Sequence, residues 1–260
     1  MFPNKANSNL LKEVSKELKN LKKNRLFLIE DIKTFEIAVD RNLKPVNIFI
    51  TEDIFKKMES VFKNSPEIMD KTFLINNREL KKMQQLKTNV GLLSLFRYRK
   101  ELKPSKDSLP FHLFFDRVQD PGNMGTIIRS ALSFNIRKLY LSSGTASIYN
   151  PKVIRGSMGA VFSLPIEERV NLKKTFDKMR KEGKQILFTS SETGKDLNRI
   201  EIKPGAAIVF GNESKGISEE LEEFATGWLK IPTSGKTESL SVSIAASIIM
   251  SELFSRNLKN

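Results

Sequence analysis

Phe111–Phe134 reads FHLFFDRVQDPGNMGTIIRSALSF: an unbroken apolar run, a polar turn, then a second apolar segment laced with small residues. A strand with one wet face would alternate apolar and polar side chains, so FHLFFD suits a strand buried on both faces of a parallel sheet. The segment after the turn predicts a helix near 123–134. Working outward, further strands are expected at KLYLS (138–142), AVFSLP (160–165), QILFTS (185–190), AAIVFG (206–211) and WLKIP (228–232). Helices are expected near 151–158, 171–182, 216–223 and 241–257. That alternation makes residues 111–260 an α/β domain with a mainly parallel sheet.

Upstream, Leu10, Leu11, Val14, Leu18 and Leu21 fall at helical spacing between lysines, predicting an amphipathic helix over 8–23. Strands RLFLIE, VNIFIT, KTFLI and VGLLSLFRY then alternate with helices over IKTFEIAVDRN, EDIFKKMESVFKNS and NRELKKMQQL, as in a small α/β sandwich. KELKPSKDSLP, 100–110, is charged, holds two prolines and lacks apolar periodicity. It marks a boundary, with a first domain over 1–104, a linker over 105–110 and a second domain from 111 to 260.

The 260-residue chain carries a formal net charge of +14. Such an excess attracts polyanions and favours nucleic acid as partner. Residues 1–110 hold 23 Lys+Arg against 14 Asp+Glu, and the remainder 21 against 16, so the grip on RNA or DNA is expected in the first half. Without cysteine there is no disulfide, thiolate zinc site or cysteine nucleophile. The single histidine, His112, sits in the apolar run and is expected to be structural; no metal site is expected. No signal-like apolar segment or membrane span is visible, which predicts a soluble, cytoplasmic protein.

IPTSGKTESLSVSIAAS, Ile231–Ser247, contains Ser-Gly-Lys-Thr, but a nucleotide phosphate loop needs a first glycine at 230, and that residue is Lys230. Only Thr233 and Ser234 separate Pro232 from Gly235, too few to wrap a triphosphate. The segment is therefore something other than an ATPase loop.

Ligands of open α/β sheets sit beyond the carboxyl ends of strands. Three polar loops occupy such ends. In the first, Asn123 and Gly125 open the helix and Arg129 stands inside an apolar segment, where burial would demand an anion. In the second, IVFGNESKGIS, Gly211 permits close backbone approach, Asn212 and Glu213 bring an amide and a carboxylate, and Gly216 turns the chain into a helix that Ser218 can cap. In the third, Ser239, Ser241 and Ser243 surround a helix start, Ala245 and Ala246 allow close packing, and Ile244, Ile248, Ile249 and Leu253 form an apolar face.

In that order the patterns N-x-G-x-I-x-R, F-G-N-E-x-x-G-I and I-P-x-x-G-x-x-x-S-L-x-V-S-x-A-A resemble the three motifs of the SpoU-type RNA ribose 2′-O-methyltransferases, the TrmH family of the SPOUT superfamily. The resemblance covers 111–260. Residues 1–104 look like the ribosomal-protein-like substrate domain of such enzymes, with Glu30-Asp31 where the family commonly has Glu-Gly. The resemblance implies a deep trefoil knot in the second domain, bound S-adenosylmethionine, and a homodimer through the knot domain. It implies cofactor contacts at Thr189, Ser190, Gly211, Asn212, Gly216, Ile231, Gly235, Ser239 and Leu240. Arg129, Asn123, Glu213, Ser239 and Ser241 become the catalytic candidates, with Arg129 holding a phosphate and orienting the 2′-OH. The implied substrate is RNA, ribosomal ahead of transfer RNA. The third motif usually reads S-L-N-V-S, and Ser241 replaces its Asn, which leaves a catalytically impaired RNA-binding or ribosome-assembly relative as the alternative. Removal of residues 1–104 is expected to spare dimer and cofactor binding and to cost RNA affinity.

Overall fold

A computed structural model describes residues 3–85, 90–98 and 102–258. The chain forms two compact units, Met1–Lys100 with Tyr149–Phe162, and Glu101–Ile148 with Ser163–Asn260. Leu86 of the expected helix NRELKKMQQL, and Lys100 and Glu101 of the expected boundary, lie outside the described residues.

The first unit begins with β1 (Asn4–Lys5), α1 (Ser8–Lys19), β2 (Leu26–Ile29), α2 (Ile32–Asp40) and β3 (Pro45–Ile50). It continues through α3 (Glu52–Lys57), α4 (Glu59–Asn64), β4 (Thr72–Leu74), α5 (Asn77–Met83) and β5 (Leu92–Arg97). The strand order is β1-β4-β3-β5-β2, parallel among β1, β4 and β3 and antiparallel at β5. Asn7 caps α1, and Asp31 caps α2 by accepting from Thr34 N–H at 2.8 Å, which gives the Glu30-Asp31 departure a local purpose. The helix expected over 52–65 breaks at Met58 into α3 and α4.

From Leu109 the chain runs β6 (Leu109–Phe115), α6 (Pro121–Ser133), β7 (Ile136–Ser142), α7 (Pro151–Gly156), β8 (Ile166–Val170) and α8 (Leu172–Lys181). Then follow β9 (Ile186–Thr189), β10 (Lys195–Asp196), β11 (Ala207–Phe210), β12 (Gly227–Lys230) and α9 (Val242–Asn257). The sheet is parallel throughout, in the order β10-β12-β9-β11-β6-β7-β8. The second unit is thus an α/β fold with β6 and β11 at its centre. Phe114, Phe176 and Phe188 pack on one face, while α6 and α9 pack together with α9 against β6. After β6 the chain moves outward to β7 and β8, then returns to the far side of β11. The loops following β6 and β11 therefore flank a topological switch point, where such sheets bind ligands.

Three expectations are corrected. AVFSLP forms no strand: Ala160–Phe162 is a 3-10 turn entered through positive φ at Met158 (51°) and Gly159 (77°), and pairing with β7 begins beyond Pro165, at Ile166. The helix expected over 216–223 is a 3-10 turn, Glu219–Phe224, whose one buried residue, Leu221, leaves little apolar area to hold a longer helix. Finally, Tyr149–Phe162 belongs with the first unit and not with the rest of 111–260. There Phe27 meets Tyr149 and Phe162 with ring centroids 5.2 and 5.8 Å away, and a side chain on Gly159 would collide with Ile37. β6 also starts inside the expected linker, at Leu109. No helix among the described residues is long and apolar enough to cross a membrane.

Candidate active site

The first loop is shaped by Asp-Pro at a helix start. Asp120 caps α6 by accepting from Asn123 N–H at 2.7 Å, and Pro121 occupies the first turn, where no N–H is needed. This fixes Asn123 at the mouth of the switch point. The second loop brings Glu213 to meet it. One Glu213 oxygen accepts from Asp120 N–H (3.1 Å) and Asn123 Nδ2 (3.2 Å), the other from Gln119 N–H (3.2 Å) and Asn212 Nδ2 (3.3 Å). Burial alone would raise the Glu213 pKa, but its own N–H, then the Asn123 amide and the N–H groups of Asp120 and Gln119, favour the charged form and hold it below the ordinary glutamate value. Four donors occupy the acceptor sites of a carboxylate, so Glu213 is an anchor for the Gln119–Asn123 turn and not a free base.

Asn212 completes the tie. Its Nδ2 donates to the Arg117 carbonyl at 2.7 Å, and its Oδ1 accepts from the N–H groups of Ser214 and Lys215. Gly211 does permit a close approach, but to its own chain: an added Cβ would stand 2.2 Å from the Gly216 carbonyl carbon. Gly216 adopts positive φ (67°) with open space where a side chain would point. Ser218 does not cap the turn that follows it. Its N–H and hydroxyl donate to Oδ2 of buried Asp116, whose Oδ1 accepts from Ser142 Oγ at 3.1 Å.

The third loop enters through α9. Ser243 Oγ donates to Asn123 Oδ1 at 2.8 Å and lies 3.1 Å from Ser241 Oγ, which also accepts from Ile244 N–H as the helix cap. Because the Ser243 hydroxyl has one proton, committed to Asn123, Ser241 is the donor to Ser243. The result is a directional chain Ser241→Ser243→Asn123→Glu213 joining the three loops. The hydroxyl of Ser241 thus closes the network at the position where the family commonly carries an amide.

The other expected site residues divide into engaged and open groups. Thr189 Oγ1 donates to the Val209 carbonyl, and Ser190 Oγ receives the N–H groups of Glu192 and Thr193, so both hydroxyls serve the fold. Among the described residues, Pro232–Leu240 makes a single hydrogen bond, from Gly235 N–H to Thr233 Oγ1 at 3.4 Å. Ile231 and Leu240 flank that stretch half-buried, Ser239 is exposed within it, and Gly235 has positive φ (72°) with nothing near the missing side chain. Arg129 does not meet the condition of burial: it is exposed on α6 and makes no ion pair among the described residues. The expected apolar face of α9 is also split, with Ile249 and Leu253 buried while Ile244 and Ile248 are 51% and 38% exposed.

Sequence reasoning missed the support beneath the site: Ser243 as the partner of Asn123, and the Asp116–Ser142–Ser218 cluster. The only signal for the latter was an acid ending an apolar strand. A cleft of about 420 Å³, lined by residues including Gln185, Leu187, Gly194, Lys195 and Trp228, contains none of the expected site residues. His112 donates to or accepts from the Tyr140 hydroxyl at 3.1 Å; burial, then Arg137, Lys184 and Lys138, hold its pKa below the ordinary value.

Comparison with known proteins identifies the family. The profile of the SpoU rRNA Methylase family matches residues 110–251. The chain is 36% identical over 141 residues to the 23S rRNA (guanosine(2553)-2′-O)-methyltransferase RlmP of Bacillus subtilis, covering 54% of this chain and 56% of that protein. It is 27% identical over 181 residues to an uncharacterised tRNA/rRNA methyltransferase of Synechocystis, covering 70% and 66%. The matched region thus spans little more than half to two thirds of these curated relatives. Among solved structures, a Porphyromonas gingivalis chain assigned to the TrmH family of RNA methyltransferases superposes with a TM-score of 0.80 at 27% identity, over 96% of this chain and 99% of that one. The AdoMet-bound rRNA methyltransferase from Sinorhizobium meliloti, at 22% identity and a TM-score of 0.79 over 98% of both chains, shares the fold. With more than half its length matched by the profile and its three motif loops joined in one network, the chain belongs to the SpoU rRNA methylase family.

Proposed function

We propose that this protein is a cytoplasmic, S-adenosylmethionine-dependent methyltransferase that modifies a ribose 2′-OH in RNA, with ribosomal RNA ahead of transfer RNA. The observation that carries the reading is the Ser241–Ser243–Asn123–Glu213 chain, which fixes three loops at one switch point and leaves Arg129 exposed on α6. The name of the Bacillus relative supports the ribosomal choice.

The cofactor fits the residues present. Pro232–Leu240 offers backbone groups and the Ser239 hydroxyl, which no described residue engages, as recognition of a nucleoside requires, and Gly235 and Gly216 leave open space beside the chain. Backbone at Ile231, Gly235 and Leu240 would hold it, together with the strand end at Thr189 and Ser190, while the self-satisfied turn at Gly211 and Asn212 shapes the wall beside it. When bound, S-adenosylmethionine supplies an electrophilic methyl on a cationic sulfur. A guanidinium stays protonated at neutral pH. Arg129 therefore grips the neighbouring phosphate and stabilises the ribose alkoxide that develops as the 2′-OH proton passes to water, while Asn123, locked by Ser243 and Glu213, keeps α6 and its arginine in register.

The homodimer belongs to the same proposal. Leu132 on α6 and Ile244 and Ile248 on α9 are large, apolar and exposed on two helices bridged by a Ser130–Ser247 hydrogen bond (2.8 Å), a surface suited to a second copy. The deep knot implied by the resemblance is likewise part of this reading. The first unit, Met1–Lys100 with Tyr149–Phe162, takes the role of RNA-gripping domain. Tritium transfer from labelled S-adenosylmethionine to unmodified ribosomal and transfer RNA tests the activity and the choice of RNA. Label at one ribose is expected, lost in Arg129→Ala; cofactor binding with no transfer to either RNA would instead favour the impaired relative.

A further inference from the structure

A second arginine stands at the site, with an ion pair from Nε to Asp116 and no hydrogen bond from its head group among the described residues. Arg117 follows β6 directly and adopts φ 55°, a left-handed conformation that glycine takes freely and a long side chain does not. The backbone is held there from both sides: its N–H donates to Ser142 Oγ at 2.9 Å, and its carbonyl accepts from Asn212 Nδ2 at 2.7 Å. The turn itself thus asks for glycine, and what arginine adds is its guanidinium.

That guanidinium is aimed and then left open. The side-chain stem lies against Gly144, where an added Cβ would stand in ordinary contact, 3.4 Å from Arg117 Cγ. Nε is buried, makes no hydrogen bond, and has Asp116 Oδ1 at 3.5 Å as its electrostatic partner. Asp116 is already satisfied by Ser142 and Ser218, so it orients the arginine without absorbing its donors. The side chain is 40% exposed, and its terminal amines have no partner among the described residues. Strain at a non-glycine residue beside a functional loop is the kind of outlier from which a role can be inferred.

We infer that Arg117 binds a backbone phosphate of the substrate RNA, a second grip beside that of Arg129 that sets how the strand enters the site. A planar guanidinium with two free amines matches phosphate oxygens in pairs. The inference rests on the reading of this site as an RNA methyltransferase.

The test compares wild type, Arg117→Gly and Arg117→Lys in the full chain, by titration with unmodified 23S ribosomal RNA transcript at several salt concentrations. Glycine keeps the left-handed turn and removes the head group. Arg117→Gly is expected to bind the transcript about tenfold more weakly at about 0.1 M salt, with the log–log salt slope shallower by about one. S-adenosylmethionine affinity by calorimetry stays the same, the melting temperature stays level or rises, and Arg117→Lys recovers part of the slope. Unchanged RNA affinity and slope in Arg117→Gly, with wild type binding and methylating RNA, overturns the inference and leaves the activity standing. A falling melting temperature with no rescue by lysine overturns it in favour of a structural arginine, and lost cofactor affinity reassigns the residue to the cofactor carboxylate. Absence of RNA binding by wild type overturns both this inference and the reading beneath it.

Discussion

Gly211–Ser218 and Pro232–Leu240 both leave carboxyl ends of strands in one parallel sheet, yet they are built in opposite ways. In the first, Asn212, Glu213 and Ser218 bond back to the protein, and Asn212 and Gly216 pair as an antiparallel bridge. In the second, one weak hydrogen bond is made among the described residues. A loop whose polar groups are already satisfied can hold geometry but has little left to offer a ligand. A loop with unmet donors and acceptors is a surface waiting for a partner. The contrast separates a scaffold that arrives preorganised from a segment that binding orders.

The comparison can be broken in five places. The largest effect is expected at Arg129, whose open head group is outside the scaffold: Arg129→Ala lowers methyl transfer by about 10³-fold, with the melting temperature and cofactor affinity near wild type. Radiolabel transfer beside calorimetry reads both. Ser243→Ala strikes the scaffold instead, freeing the Asn123 amide. Turnover should fall by about 10²-fold, the scale of a small misplacement, and Ser243→Thr should restore part of it. Equal turnover in Ser243→Ala would mean that the network does not position the chemistry.

Gly211→Ala forces a methyl group against Gly216 and should cost about 1–3 kcal/mol of stability, read as a lower denaturant midpoint. An unchanged midpoint would show that the tight turn yields easily. Next, saturating S-adenosylmethionine should slow amide exchange across Pro232–Leu240 by roughly tenfold or more while leaving Gly211–Ser218 almost unaffected. Slowing confined to Gly211–Ser218 would reverse the assignment of the two loops.

The smallest effect is at His112, far from either loop. Its folded pKa is depressed, so below its ordinary value, about 6.5, the unfolded chain binds the proton more readily. Stability is therefore full above that value and declines as pH falls toward the folded pKa. Melting curves from pH 7.5 to 5.5 should show a shallow decline that His112→Gln flattens.

Much of this was legible because periodicity and order carry it. FHLFFD is the central strand, Asp-Pro-Gly-Asn opens α6, and Asn123 and Glu213 meet although 90 positions apart. The misses share a physical origin in tertiary context. AVFSLP has strand-like composition, but backbone turns at Met158 and Gly159 send it elsewhere, and the paired strand is the more polar IEERV. Helix periodicity put Arg129 among apolar neighbours without saying which side of α6 faces outward. Gly211 read as room for a ligand because sequence could not show that the chain itself returns to fill it.

The same folding back shapes the life of the nascent chain. Phe27, 1% exposed, packs against Phe96 and also against Tyr149 and Phe162, more than a hundred residues downstream. During synthesis the N-terminal unit cannot finish its core when its own hundred residues have emerged, as domain-by-domain folding would allow. Its completion waits until Glu101–Ile148 of the second unit has also left the ribosome, and a chain stalled before residue 149 presents that core to water and to chaperones.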